Sequence, residues 1–153
     1  MDARQYRDRA RERLEELDRL RRAISRSENR IQELETLATQ CGGYSDGEHV
    51  QTSAKKDKLE EAVMNIIVEK DRLADAITEW VQESRKVEAE LMQLDPVQAS
   101  VLEAKYILHE TDWKTAHRLH YTEGYIRQLR MDGLEEYGRV LNRTRTNKNE
   151  QDL

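Results

Sequence analysis

The chain has 153 residues, of which 37 % are charged and 37 % hydrophobic, with no Phe, one Pro and a net charge of −5. That composition excludes a broad aliphatic and aromatic core and leaves the apolar residues to narrow helical stripes. A single cysteine, Cys41, excludes an internal disulfide framework or a Cys-based metal site. No run approaches the ~18 apolar residues of a membrane span, and the first residues hold no apolar signal-peptide core, so a cytoplasmic protein without a membrane partner is expected.

Residues 3–40 read as one long helix. Apolar or small residues recur at Tyr6, Ala10, Leu14, Leu17, Leu20, Ile24, Ile31, Leu34 and Ala38, a three-four spacing on one stripe. The other faces are mostly Arg and Glu, with opposite charges four apart at Glu15 and Arg19 and at Asp18 and Arg22. A Gly-rich, polar interruption follows near 41–55. A second helix is expected from Asp57, which with Glu60 three residues on has the form of a capping box. Its stripe is Leu59, Val63, Ile66, Leu73, Ile77, Trp80, Val87, Leu91 and Leu94, interrupted by Lys70 and Ser84.

Two helices of similar length around one break predict a long antiparallel, coiled-coil-like hairpin over residues 1–94. Two helices bury only a narrow seam, so self-association into a homo-oligomer through the hairpin, or packing against the rest of the chain, is expected.

A second unit is expected over 95–141. Asp95 can cap and Pro96 can open a third helix running to about His109, with Val97, Val101, Leu102, Ala104, Tyr106 and Leu108 inward. Thr111 or Asp112 caps a fourth helix over 113–120, and Thr122 caps a fifth that continues to about Leu141. Residues 142–153 are polar and read as a disordered tail. The fold class is therefore all-α.

The fifth helix divides into two faces. Ile126, Leu129, Gly133 and Tyr137 share one, which suits docking, with Gly133 allowing a close approach. The opposite face holds Gly124, Arg127, Gln128 and Met131, with Glu123 at its exposed start and Tyr125 and Arg130 beside it. Arg can pair with two acceptors on guanine, Gln with adenine, and Glu can accept from cytosine. The first turn offers free backbone N–H groups to a phosphate, and the Thr122 hydroxyl adds to them. Lys114 and Arg118 on the fourth helix are spaced to clamp a backbone. The net charge argues against nucleic acid, but residues 113–131 hold four bases and one acid, and phosphate contact depends on local charge.

These residues carry a resemblance. Residues 94–141 resemble region 4 of bacterial primary sigma factors, a helix-turn-helix. The recognition helix of that family begins T-x-x-x-I-R-Q-I, matched here by Thr122, Ile126, Arg127, Gln128 and Leu129. The stretch LDPVQASVLEAKY at 94–106 is similar to its L-x-x-x-E-x-x-V-L-x-x-R-Y opening. Small phage and prophage late transcription regulators of the ArpU/RinA type pair such a unit with an N-terminal helical part and a G-x-x-V-Q-T-S-x-x-x-D-K-like linker, similar to residues 47–58. The resemblance implies a sequence-specific regulator whose partner is double-stranded DNA, with the hairpin serving either self-association or contact with RNA polymerase. Three positions depart from the family pattern. His120 replaces the turn Gly, Thr115 stands at an aliphatic position, and Gly124 replaces a base-reading Glu, so promoter specificity does not carry over.

His117 and His120 lie three apart, but no acidic or Cys partner is spaced with them, so no metal site is read. No nucleophile and base pairing, Gly-rich phosphate loop or carboxylate motif stands out, so neither an enzyme nor a cofactor is expected. The competing readings are a polymerase-binding or structural adaptor and a small DNA-packaging subunit.

Overall fold

The structure, a computed structural model, describes residues 1–41 and 53–152. They form five helices and no strand: α1 (Ala3–Cys41), α2 (Ser53–Leu91), α3 (Pro96–Tyr106), α4 (Asp112–Leu119) and α5 (Glu123–Gln151). Residues 42–52, which hold the glycines of the interruption and half of the linker likeness at 47–58, lie outside the described residues, and 53–58 are helical. None of the described helices is long and apolar enough to cross a membrane.

Helix boundaries follow local chemistry where a cap is present. Asp95 accepts from the Val97 N–H at 3.0 Å and Pro96 takes the first helical position. Elsewhere the boundaries depart from the sequence reading. α2 starts at Ser53, ahead of the expected Asp57 cap, because Ala54, Lys55 and Lys56 are good helix formers with no Gly or Pro among them. α3 stops at Tyr106, so Leu108 is 56 % exposed rather than inward. α5 runs to Gln151, so residues 142–151 are helical rather than a disordered tail. No Gly or Pro follows Gly138 to stop it, and Arg143 reaches back to Glu136 at 3.4 Å.

The chain divides into two compact units, Met1–Arg19 with Gln82–Leu153, and Leu20–Val81. This is not the division at 94 and 95 that the sequence suggests. In the first unit Ala10, Leu14 and Leu17 of α1 join Val87 and Leu91 of α2 in one core with Leu94, Leu102 of α3, and Leu134, Tyr137 and Val140 of α5. The narrow seam of a helix pair is completed there by the helices that follow.

A polar network edges that core. Arg13 holds Glu83 at 2.8 Å and Glu90 at 3.4 Å, and the buried Tyr137 hydroxyl donates to Glu90. Burial and the bond to Glu90 push the Tyr137 hydroxyl well above its usual pKa, so it remains a donor. Arg13 lowers the Glu83 carboxyl, with Lys86 adding to the effect. α1 crosses α5 closely at Gly138, where an added Cβ would lie 2.1 Å from the Tyr6 carbonyl oxygen. Beside that crossing, Arg139 lies 4.8 Å over the Tyr6 ring and Arg7 meets Glu135 at 3.4 Å.

In the second unit the stripe of α1 is as expected, and Ser27 fills its gap between Ile24 and Ile31. The stripe of α2 is not. Ala62, Ile66, Glu69, Leu73, Ala76 and Trp80 are buried or half-buried, whereas Val63 and Ile77 are 45 % and 41 % exposed. Glu69, not Lys70, is the polar residue on this seam. Ser27 donates to it at 3.4 Å, and Arg72 and Arg30 reach it at 2.9 and 3.6 Å. Of these partners Ser27 and Arg30 lie on α1, so the buried carboxylate ties α1 and α2 to one register.

Candidate nucleic-acid interface

The α4 and α5 pair is held by side chains at both ends of the intervening turn. Thr111 caps α4 by accepting from the Lys114 N–H at 3.2 Å, and Thr122 caps α5 by accepting from the Tyr125 N–H at 3.2 Å. Between them His120 adopts a left-handed backbone (φ 60°), and the turn closes when the Tyr121 N–H reaches the Ala116 carbonyl at 2.9 Å. A glycine is the usual residue for that conformation. His120 takes it here as a non-glycine residue of a type that tolerates it. His109, in the turn before α4, is also left-handed (φ 53°), and its ring meets Asp18 of α1 at 3.5 Å.

Beneath the pair, Val101 of α3, Ala116 of α4, and Ile126 and Leu129 of α5 form a second apolar cluster, flanked by Val97 and Leu119. Thr115 is 3 % exposed and donates to Glu110 at 3.1 Å. The same carboxylate receives Arg118 at 3.0 Å, and that bond holds the Glu110 carboxyl below its usual range.

The candidate DNA-contacting residues do not all share one surface. Glu123 and Arg127 lie on the open face, 3.9 Å apart and about half exposed. Gly124 has no atom within 4 Å of where a Cβ would stand, so this part of α5 is free of obstruction. Gln128 is exposed and donates to Asp132 at 3.0 Å along the same helix. Lys114 is exposed on α4, and Arg118 is exposed while held by Glu110.

Tyr125 is 47 % exposed, with its ring edge-on to Tyr121 at 4.9 Å. Arg130 stands apart. Its side chain is 17 % exposed and its guanidinium donates to both oxygens of Asp112, tying the middle of α5 to the start of α4. That bond lowers the Asp112 carboxyl below its usual value.

Met131 closes the open face, and Arg11 of α1 lies against its sulfur at 3.7 Å. Arg11 therefore joins this surface from more than a hundred residues away. Ten arginines occur along 1–41, and no local signal distinguishes this one. The Trp113 ring, 64 % exposed, stacks on His117 at 5.5 Å and 7° on the outer side of α4. His117 is thus committed to an aromatic partner, while His120 lies beyond the end of the helix.

Comparison with family models, with curated proteins and with solved structures finds no match to this chain.

Proposed function

We propose that this chain is a sequence-specific DNA-binding transcription regulator of the phage or prophage late-gene type. In this reading α4 and α5 act as a sigma region 4-like helix-turn-helix, and α5 reads the major groove of double-stranded DNA. The observation that carries the reading is the unobstructed face of Glu123, Gly124, Arg127 and Gln128 on a helix whose rear is docked on α3. Arg127 and Gln128 supply base-edge chemistry, and the absent side chain at Gly124 lets the backbone approach.

Lys114, Arg118 and Arg11 then meet phosphates on either side. Arg118 exchanges its carboxylate partner for a phosphate. The α1 and α2 helices, read as an antiparallel hairpin, serve self-association.

The exposed stack of Trp113 on His117 favours a second reading, an adaptor that docks on RNA polymerase through α4, since an exposed Trp is a common protein-binding anchor.

Gel-shift titration across DNA fragments from the region that encodes the chain tests the first reading. The chain should prefer some fragments over others. Arg127→Ala and Gln128→Ala should each lose about 1–3 kcal/mol of that preference. Lys114→Ala and Arg11→Ala should weaken all fragments alike and reduce the salt slope by about one. Unchanged preference in both the Arg127 and Gln128 variants would overturn the role given to α5, and no binding by the intact chain would overturn the reading itself.

A further inference from the structure

α2 carries two apolar lines in the second unit, displaced by one residue. The first runs through Ala62, Ile66, Glu69, Leu73, Ala76 and Trp80 and is the one paired with α1. The second runs through positions 63, 67, 70, 74, 77 and 81 with the same alternation of four and three, the spacing of a coiled-coil seam. One residue is about 100° of helix rotation, so the second line lies on the flank of the helix beside the first. It is open over most of its length, with Val63 at 45 %, Ile67 at 49 % and Ile77 at 41 % exposure, and Val81 at its end is half-buried. Met64 and Val68, 60 % and 45 % exposed, widen its first half. From Val63 to Val81 it extends ~27 Å at the rise of an α-helix. A helix with two adjacent apolar lines is suited to a bundle of more than two helices.

We propose that Val63, Ile67, Lys70, Ala74, Ile77 and Val81 form the contact line for a second copy of this chain, with the two α2 helices antiparallel across a two-fold axis. The line is symmetric about position 72. An antiparallel copy sets Val63 on Val81, Ile67 on Ile77 and Lys70 on Ala74. Lys70 decides the orientation. A parallel, in-register copy would place the two Lys70 ammonium groups against each other, a like-charge pair on the seam. The antiparallel copy places each over the small Ala74, whose side chain leaves room for the lysine stem, with Asp71 and Asp75 of the facing helix beside it. A lone polar residue of this kind on a coiled-coil seam specifies register and partner orientation. This assignment names the surface for the self-association proposed above and does not depend on DNA binding.

Sedimentation of the full chain tests it. The intact protein should sediment at twice the chain mass. The variant Ile67→Glu with Ile77→Glu should sediment as a monomer with unchanged helical circular dichroism, because both side chains are exposed within one chain. Orientation is read in a Cys41→Ser background. A mixture of Ile67→Cys and Ile77→Cys chains should cross-link to each other on oxidation, and neither should cross-link alone. A monomeric intact chain, or a dimer that survives both glutamates, overturns the assignment. Self-cross-linking by each single cysteine variant overturns the antiparallel arrangement. The DNA titration with Arg127→Ala fails or succeeds separately from all of these outcomes.

Discussion

Two glycines on α5 differ in what stands opposite them, and the difference sets a quantitative test. At Gly133 an added Cβ would be 3.4 Å from the side chains of Gln98 and Leu102, close to ordinary contact and against atoms that can shift. At Gly138 it would lie 2.1, 2.5 and 2.7 Å from the oxygen, carbon and Cα of Tyr6, all of them backbone. Replacing Gly by Ala inside a helix gains about 1 kcal/mol where space allows. At Gly133 this gain is offset only by a small adjustment, so Gly133→Ala should change stability by less than about 1 kcal/mol. At Gly138 one helix must retreat by roughly an ångström or more to reach normal contact, and such overpacking costs about 1–3 kcal/mol or more. The retreat also stretches the Arg7 pair with Glu135 and the Arg139 stack on Tyr6. A net loss of about 2 kcal/mol is expected for Gly138→Ala. Urea unfolding followed by circular dichroism measures both variants against the parent. Because α1 carries Arg11 to Met131, the proposed DNA-binding role predicts that Gly138→Ala also weakens binding to all DNA fragments alike. Equal stability of the two variants would refute the close crossing of α1 on α5.

Ser84 and Asp112 provide two further tests. The Ser84 Oγ is buried and finds no hydrogen-bond partner among the described residues, so Ser84→Ala should stabilise the protein by about 1 kcal/mol, seen as a raised urea midpoint at constant slope. Asp112 has a folded pKa lowered by its bond from Arg130, so the unfolded chain binds the proton more tightly. Its stability contribution is present at neutral pH, declines as pH falls through the ordinary aspartate value of about 3.9, and is gone below the lowered folded value. Unfolding midpoints taken from pH 7 down to pH 2 should therefore converge between the parent and Asp112→Asn at the acid end. A constant gap across that range would remove Asp112 as the cause.

The caps and the exposed face of α5 are legible in the sequence because their signals are local. Thr111 and Thr122 cap the helices beside them, and the open face of α5 follows from helical period alone. Spacing puts Arg130 beside that face but does not show its pairing with Asp112, which lies on another helix. The contact of Arg11 with Met131 is hidden for the same kind of reason. Nothing within α1 marks which arginine will meet α5.

Composition and period determined that the chain is helical, where α1 lies, and which residues of α5 turn inward. Those properties depend on residues within a turn or two of each other. Tertiary structure alone decided the rest. On α2, sequence reading merged two apolar lines into one stripe, because Val63 and Ile77 are as apolar as Ile66 and Leu73 and only the position of α1 separates them. The ends of α1 and α2 look like parts of a separate hairpin, yet they share a core with Leu102, Leu134 and Tyr137. Which apolar surface is covered, and by what, depends on residues far apart in the chain, and no local pattern encodes that pairing.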